Sequence, residues 1–175
     1  MKIELYFYTK LKEMIIRKGE KKDMPAVLAL IKELALFEKE PHAVIITVAD
    51  LERDGFSKEP LFHLFVAEDN HEIIGVALYY YRYSTWKGKT IHLEDLIVNH
   101  EHRGTGAGFA LYKKVIQQGK IENVKRIEWT VLDWNQNAID FYEKSGAKVF
   151  PDWRVVQMDE ESIDLFLQNN LDESI

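Results

Sequence analysis

Residues 91–108 read IHLEDLIVNHEHRGTGAG, and residues 108–120 continue GFALYKKVIQQGK. Apolar alternation predicts a strand over Thr90 to Val98, while Leu111, Tyr112, Val115 and Ile116 fall on one face of a helix. A strand therefore enters a helix through a turn holding Gly104, Gly106 and Gly108. Glycines this dense cost backbone entropy and are tolerated where positive φ or close approach is required. Amides at such a turn, aided by the positive end of the helix, bind phosphate-like anions without side-chain charge, and Arg103 can add a charge-assisted contact. The same glycines also suit a tight connection with no ligand.

Spacing separates this turn from two other phosphate motifs. The nucleoside-triphosphate loop needs GxxxxGK before Ser or Thr, but Gly104 and Gly108 are followed by Phe109. The dinucleotide fingerprint needs GxGxxG, whereas the glycines here fall as GxGxG.

Working outward, DMPAVLALIKELALFEKE from Asp23 places Met24, Val27, Leu28, Ile31, Leu34 and Ala35 at helical spacing, with Asp23 as cap and Pro25 in the first turn. Ile15 to Arg17 reads as a strand, and a short helix is expected over Ala49 to Asp54. Leu64 to Glu68 and Glu72 to Tyr83 read as a hairpin around Asp69, Asn70 and His71. Further on, the pattern predicts a strand over Arg126 to Leu132, a helix over Ala138 to Ser145 stopped by Gly146, a strand over Arg154 to Met158 and a helix over Ser162 to Leu167. The order implies a mixed α/β fold with one mostly antiparallel sheet flanked by helices. Residues 1–13 are expected to be an N-terminal extension and 14–175 a single domain.

Composition narrows the function. A chain of 175 residues with 46% hydrophobic content can fill one core. Its formal net charge of −6 disfavours nucleic acid and favours cationic partners, so the aromatic run ALYYYRYSTW reads as a buried strand rather than a base-stacking surface. There is no cysteine, which excludes disulfides, thiolate metal sites and a cysteine nucleophile. No segment reaches the ~20 apolar residues of a membrane span. The six histidines lack ligand spacing and no metal is expected. These features predict a soluble cytoplasmic protein.

Arg103, Gly106 and Gly108 match Q/R-x-x-G-x-G/A, and here the chain resembles the GNAT superfamily of acetyl-coenzyme A dependent N-acetyltransferases. YSTWKGKTIHLEDLIV at 83–98, VLDWNQNAIDFY at 131–142 and LIKELALFEKE at 30–40 resemble its diamine acetyltransferase group, which includes the spermidine/spermine and thialysine enzymes; the YSTWKG and VLDWNQ wording is nearer the thialysine type. The likeness covers about residues 15–158. It implies that Arg103, Gly104, Thr105, Gly106, Ala107, Gly108 and Phe109 hold the coenzyme A pyrophosphate. It also implies that the amides of Leu96, Ile97 and Val98, at a bulge, hold the pantetheine arm, and that Asn135 and Ala138 line that arm. By the same resemblance Tyr142 is the general acid and a homodimer is expected, with C-terminal strands exchanged between subunits.

The chemistry asks for a base. An alkylammonium has a pKa of about 10.4, so holding its neutral form at pH 7 costs roughly 4 to 5 kcal/mol. Glu94 is the candidate base. As neighbours on a strand, Glu94 and Asp95 are expected on opposite faces unless a bulge reorients one. A phenol at Tyr142 can donate to the departing thiolate, and Phe141 and Tyr142 cannot share a helical face. Glu38, Ser84, Trp86, Asp95, Trp134, Asp152 and Trp153 are the residues the likeness places around a small cationic amine, although each tryptophan taken alone suits a core. The polyamine enzymes carry acidic residues where this chain has Ser84 and near Pro151, which favours a shorter amine. The alternatives are acetylation of an amino acid, another small amine or a protein lysine, or binding of acyl-coenzyme A without turnover.

Overall fold

The computed structural model describes residues 14–170, so the expected extension over 1–13 lies outside the described residues. The chain divides into two compact units at Leu132/Asp133.

The first unit is built on a five-stranded sheet in the order β1 (Ile15–Lys18), β2 (His63–Asp69), β3 (Glu72–Ser84), β4 (Gly88–Val98), β5 (Ile127–Glu128). The first three pairings are antiparallel and β4–β5 is parallel. Asn70 and His71 both take positive φ, the combination a two-residue hairpin turn requires, which explains why β2 and β3 pair directly. The strand expected over Arg126 to Leu132 shortens to Ile127–Glu128, because β4 pairs with it only at Ile91 and His92.

Helices α1 (Met24–Phe37) and α2 (Val48–Gly55) cover one sheet face, where Met24, Val27, Leu28, Leu30 and Leu51 pack with Leu64, Val66, Val76, Leu78 and Ile97. Each such buried aliphatic contributes about 1.5 to 3 kcal/mol. Helix α3 (Ala107–Ile121) lies on the other face, with Lys114 over the ring of Phe65 and Leu111 against Gly75. Asp23 precedes α1 as expected but does not cap it with its side chain. Its carboxylate instead accepts from Arg17 at 2.6 and 2.9 Å and from the Glu20 amide at 2.7 Å, fastening β1 to the start of α1.

The second unit holds α4 (Gln136–Lys144) and α5 (Glu160–Asn169). Gly146 ends α4 at φ 93°, as its place in the sequence predicts. Arg154 to Met158 forms no strand. Val155 and Val156 are exposed there, and β-branched residues do not make a strand without a partner to pair with.

Gly75 on β3 leaves no room for a side chain: a methyl group there would lie 2.9 Å from the Ile97 carbonyl oxygen and 3.1 Å from Leu111 and Val98. Gly75→Ala should destabilise the protein by about 1 to 3 kcal/mol in urea unfolding. An unchanged midpoint would contradict this close approach.

Candidate active site

The ladder between β3 and β4 slips by one residue: Leu78 faces Asp95 and Tyr79 faces Leu93, so Glu94 has no opposite number. Side chains alternate along a strand, and one extra residue reverses the faces beyond it. Leu93 therefore shares a face with Tyr79, while Asp95 and Ile97 come to the face of Leu78 and α1. This is the exception in which a bulge reorients one of the pair, so Glu94 and Asp95 do not point to opposite sides. Both line one cavity of about 300 Å³, because Glu94 is the bulged residue.

The walls of that cavity are apolar at Ile31, Ile46, Leu51, Leu61, Phe62 and Leu78 and acidic at Asp50, Asp54, Glu94 and Asp95. Among the described residues no basic side chain lines it. Arg53 lies outside the lining and is shared between Asp50 and Asp54, 2.7 Å from each. Glu94 is 51% exposed and 3.5 Å from His92, whose ring burial holds below its usual range and so keeps neutral at pH 7. Burial first, then the charges of Glu94 and Glu38, push the Asp95 carboxyl up to about 6. Burial also raises Glu38, the residue that closes α1. The result is an apolar slot with excess negative charge and one carboxyl poised near neutrality, the combination that marks proton-handling sites. Asp50 and Asp54 were not singled out from the sequence, although their i, i+4 spacing puts them on one face of a helix.

Beyond His92 no described strand pairs with the β5 side of β4. Leu96, Ile97 and Val98 pair with β3 alone, leaving the other edge to offer main-chain groups to an extended, peptide-like ligand. This edge runs into the glycine turn. Gly104 and Gly106 take φ of 80° and 90°, with open space where a Cβ would stand. Gly106 is the cap of α3, and the first i→i−4 bond of that helix is from the Ala110 amide to the Gly106 carbonyl. The amides of Ala107 and Gly108 consequently have no acceptor within the helix. A pyrophosphate suits this donor set. Thr105 is tied inward, its hydroxyl donating to the His102 carbonyl at 2.8 Å, and Phe109 is exposed. Among the described residues no cluster of potential ligands could hold a metal ion.

Residues 26–147 match the acetyltransferase (GNAT) family. The chain belongs to that family. It is 38% identical over 143 residues to a thialysine N-epsilon-acetyltransferase of Bos taurus, covering 77% of this chain and 84% of the relative. It is also 38% identical over 139 residues to spermidine/spermine N(1)-acetyltransferase-like protein 1 of Homo sapiens, covering 75% of this chain and 20% of that longer protein. Among solved structures, an integron cassette protein from the mobile metagenome of V. cholerae shares the fold, with a TM-score of 0.73 and 21% identity over 89% of this chain and 98% of that one. The protein is thus an acetyltransferase with the mixed, mostly antiparallel sheet expected of it.

Other GNAT residues expected from the sequence are placed as follows. Ser84 and Trp86 sit at the β3–β4 turn, where the Ser84 hydroxyl accepts from the Trp86 amide at 3.2 Å, and neither lines the cavity. In the second unit Asn135 caps α4, its side-chain oxygen accepting from the Ala138 amide at 3.3 Å. Tyr142 on α4 is buried, 9% exposed, with its ring 5.3 Å from that of Phe141. Asp152 is exposed. Trp86, Trp134 and Trp153 are 81%, 45% and 77% exposed, which removes the core reading for all three.

Asp95 should trade stability for function. Its folded value of about 6 lies above the ordinary carboxylate value, so ionisation disfavours the folded state and stability is lost as pH rises from about 4 to about 6. Asp95→Asn should therefore be the more stable protein in thermal melts at pH 7 to 8, on the order of 2 kcal/mol, with the gap closing near pH 4. A variant less stable at every pH would contradict this placement.

Proposed function

We propose that this enzyme transfers the acetyl group of acetyl-coenzyme A directly to a primary amine of a small cationic substrate, of the diamine, polyamine or thialysine-like class. The observation that carries the reading is the cavity at the β4 bulge, whose apolar walls accept methylenes and whose unbalanced carboxylates attract an ammonium group. The names of the relatives, which act on thialysine or are like spermidine/spermine acetyltransferases, support it. The match over 26–147 supports treating 14–175 as one acetyltransferase domain.

Bound acetyl-coenzyme A would supply the activated acetyl group. The amides of Leu96, Ile97 and Val98 and of residues 103–109 are the groups that would hold it, with Asn135 and Ala138 contributing from α4. Glu94 and Asp95 act as a pair: they draw the ammonium in and take its proton, so the nitrogen meets the acetyl carbon with a free lone pair. Glu94 is the more open of the two and receives the substrate; Asp95, with its value near 6, is the member that titrates close to the working pH. Tyr142 holds a phenolic proton for the departing sulfur, since a phenol ordinarily stays protonated up to about pH 10. Of the residues that the resemblance assigns to the amine, Glu38 adds its charge beside Asp95, and the exposed rings of Trp134 and Trp153 with the Asp152 carboxylate are of the kinds that attract a cation; Ser84 and Trp86, at the β3–β4 turn outside the cavity, have no part in it in this reading. The enzyme works as a cytoplasmic homodimer, and the exposed, unpaired stretch around Val155 and Val156 is the part we assign to the partner.

A thiol-release assay over a panel of amines tests the function. Diamines and thialysine should be acetylated faster than neutral amines or aminoglycosides. Tight binding of acetyl-coenzyme A with no release on any amine would leave a non-catalytic binder.

The pH profile tests the carboxylate pair. The acid limb of kcat/KM should lie near pH 6, and Glu94→Gln should move it to lower pH, because removing a like charge lets Asp95 ionise more easily. A limb that moved upward would make Glu94 the sole base.

A further inference from the structure

We propose that Glu33 of α1 is a positioning residue for the cofactor turn: its carboxylate ties the segment between β4 and the glycines to α1 and so fixes where the amides of 103–108 stand. Its consequence for catalysis rests on the acetyl-coenzyme A reading above.

Both oxygens of Glu33 are used. Oε2 accepts from Asn99 Nδ2 at 3.0 Å and Oε1 from the His100 amide at 2.8 Å. Oε1 also lies 3.5 Å from His100 Nδ1 and 3.8 Å from the Arg103 guanidinium. The side chain is 22% exposed, so these contacts are only partly screened by water, unlike an ordinary surface pair. A carboxylate accepting a main-chain amide makes a charge-assisted bond, among the stronger kinds available to a loop.

Arg103 completes the tie. Its Nε donates to the Val98 carbonyl at 3.3 Å, and its guanidinium stands 5.3 Å from the centre of the Phe37 ring. Its charge is thus placed between the end of β4 and α1, which gives it a holding role beside the anion contact expected from the sequence. The Asn99 amide adds a bond to the Ile74 carbonyl at 2.8 Å, fixing the near end of the segment to β3.

The turn needs such a tie. Gly104 and Gly106 give it unusual conformational freedom, so the fixed points on either side decide where its amides stand. Helix α1 also contributes Ile31 to the cavity wall, so one rigid element registers the amine slot and the cofactor turn together.

The test compares Glu33→Ala and Glu33→Gln with the wild type, reading amide exchange in the free protein and steady-state kinetics. In Glu33→Ala the His100 amide should exchange at least about tenfold faster, and KM for acetyl-coenzyme A should rise about tenfold, while kcat and the amine KM stay within about twofold. Glu33→Gln keeps an acceptor for the His100 amide and should fall between. An unchanged His100 exchange rate, or a loss shared equally by kcat and both KM values, would overturn the proposal. A wild-type protein that acetylates no amine would sink the acetyl-transfer reading instead, and the exchange rate in the free protein would still decide whether the tie exists.

Discussion

Between Leu93 and Asp95 the β3–β4 ladder carries one residue without a partner, and a strand of period two cannot absorb an odd insertion without turning over every face beyond it. Without Glu94 as the extra residue, Asp95 would lie on the α3 face and Ile97 would leave the core beneath α1. With it, Ile97 packs among Val66, Val76 and Leu78 while two adjacent carboxylates share one cavity. The hydrophobic core thus pins the register, and the register places the charges. The cost is visible at Asp95, whose carboxyl is raised by burial and by its neighbours. The fold tolerates that cost where a proton must change hands.

The same strand ends in the turn that receives the cofactor in the proposed function, so both halves of the chemistry issue from one length of backbone. Two devices keep them in place. Gly75 lets β3 approach β4 at Ile97 and Val98, and Glu33 fastens the segment after Val98 to α1. Both act on the position of main-chain groups, the parts of the site that no change of local side chain could replace. Within the second unit, Asn135 and Tyr142 are tied into α4, the first by its cap and the second by burial.

Much of this was legible in the sequence, for physical reasons that differ by element. Helix α1 announces itself because its buried residues recur at helical spacing, and the β2–β3 turn because Asn70 and His71 tolerate positive φ. The glycine turn was legible because few other residues adopt its backbone. A bulge on β4 was expected from the resemblance, but its place at Glu94 was not legible: an insertion inside the apolar run around Leu93 to Val98 leaves no mark on periodicity, and the pairing with β3 is what locates it. Glu33 looked like any exposed helix residue, since its partners lie 66 and 67 positions away. Arg154 to Met158 carries strand propensity, yet propensity alone could not say whether a partner was at hand. The tryptophans misled in isolation because ring size suggests burial, whereas position on turns and loops decides it.

A crystal structure of the protein with coenzyme A and a diamine would test the account most directly. It predicts the pyrophosphate within hydrogen-bond distance of the amides of Ala107 and Gly108, the pantetheine along Leu96 to Val98, and the amine nitrogen between Glu94 and Asp95 on the α1 side of the sheet. An unbroken β3–β4 register with Asp95 turned toward α3, or a ligand seated away from the β4 edge, would contradict it.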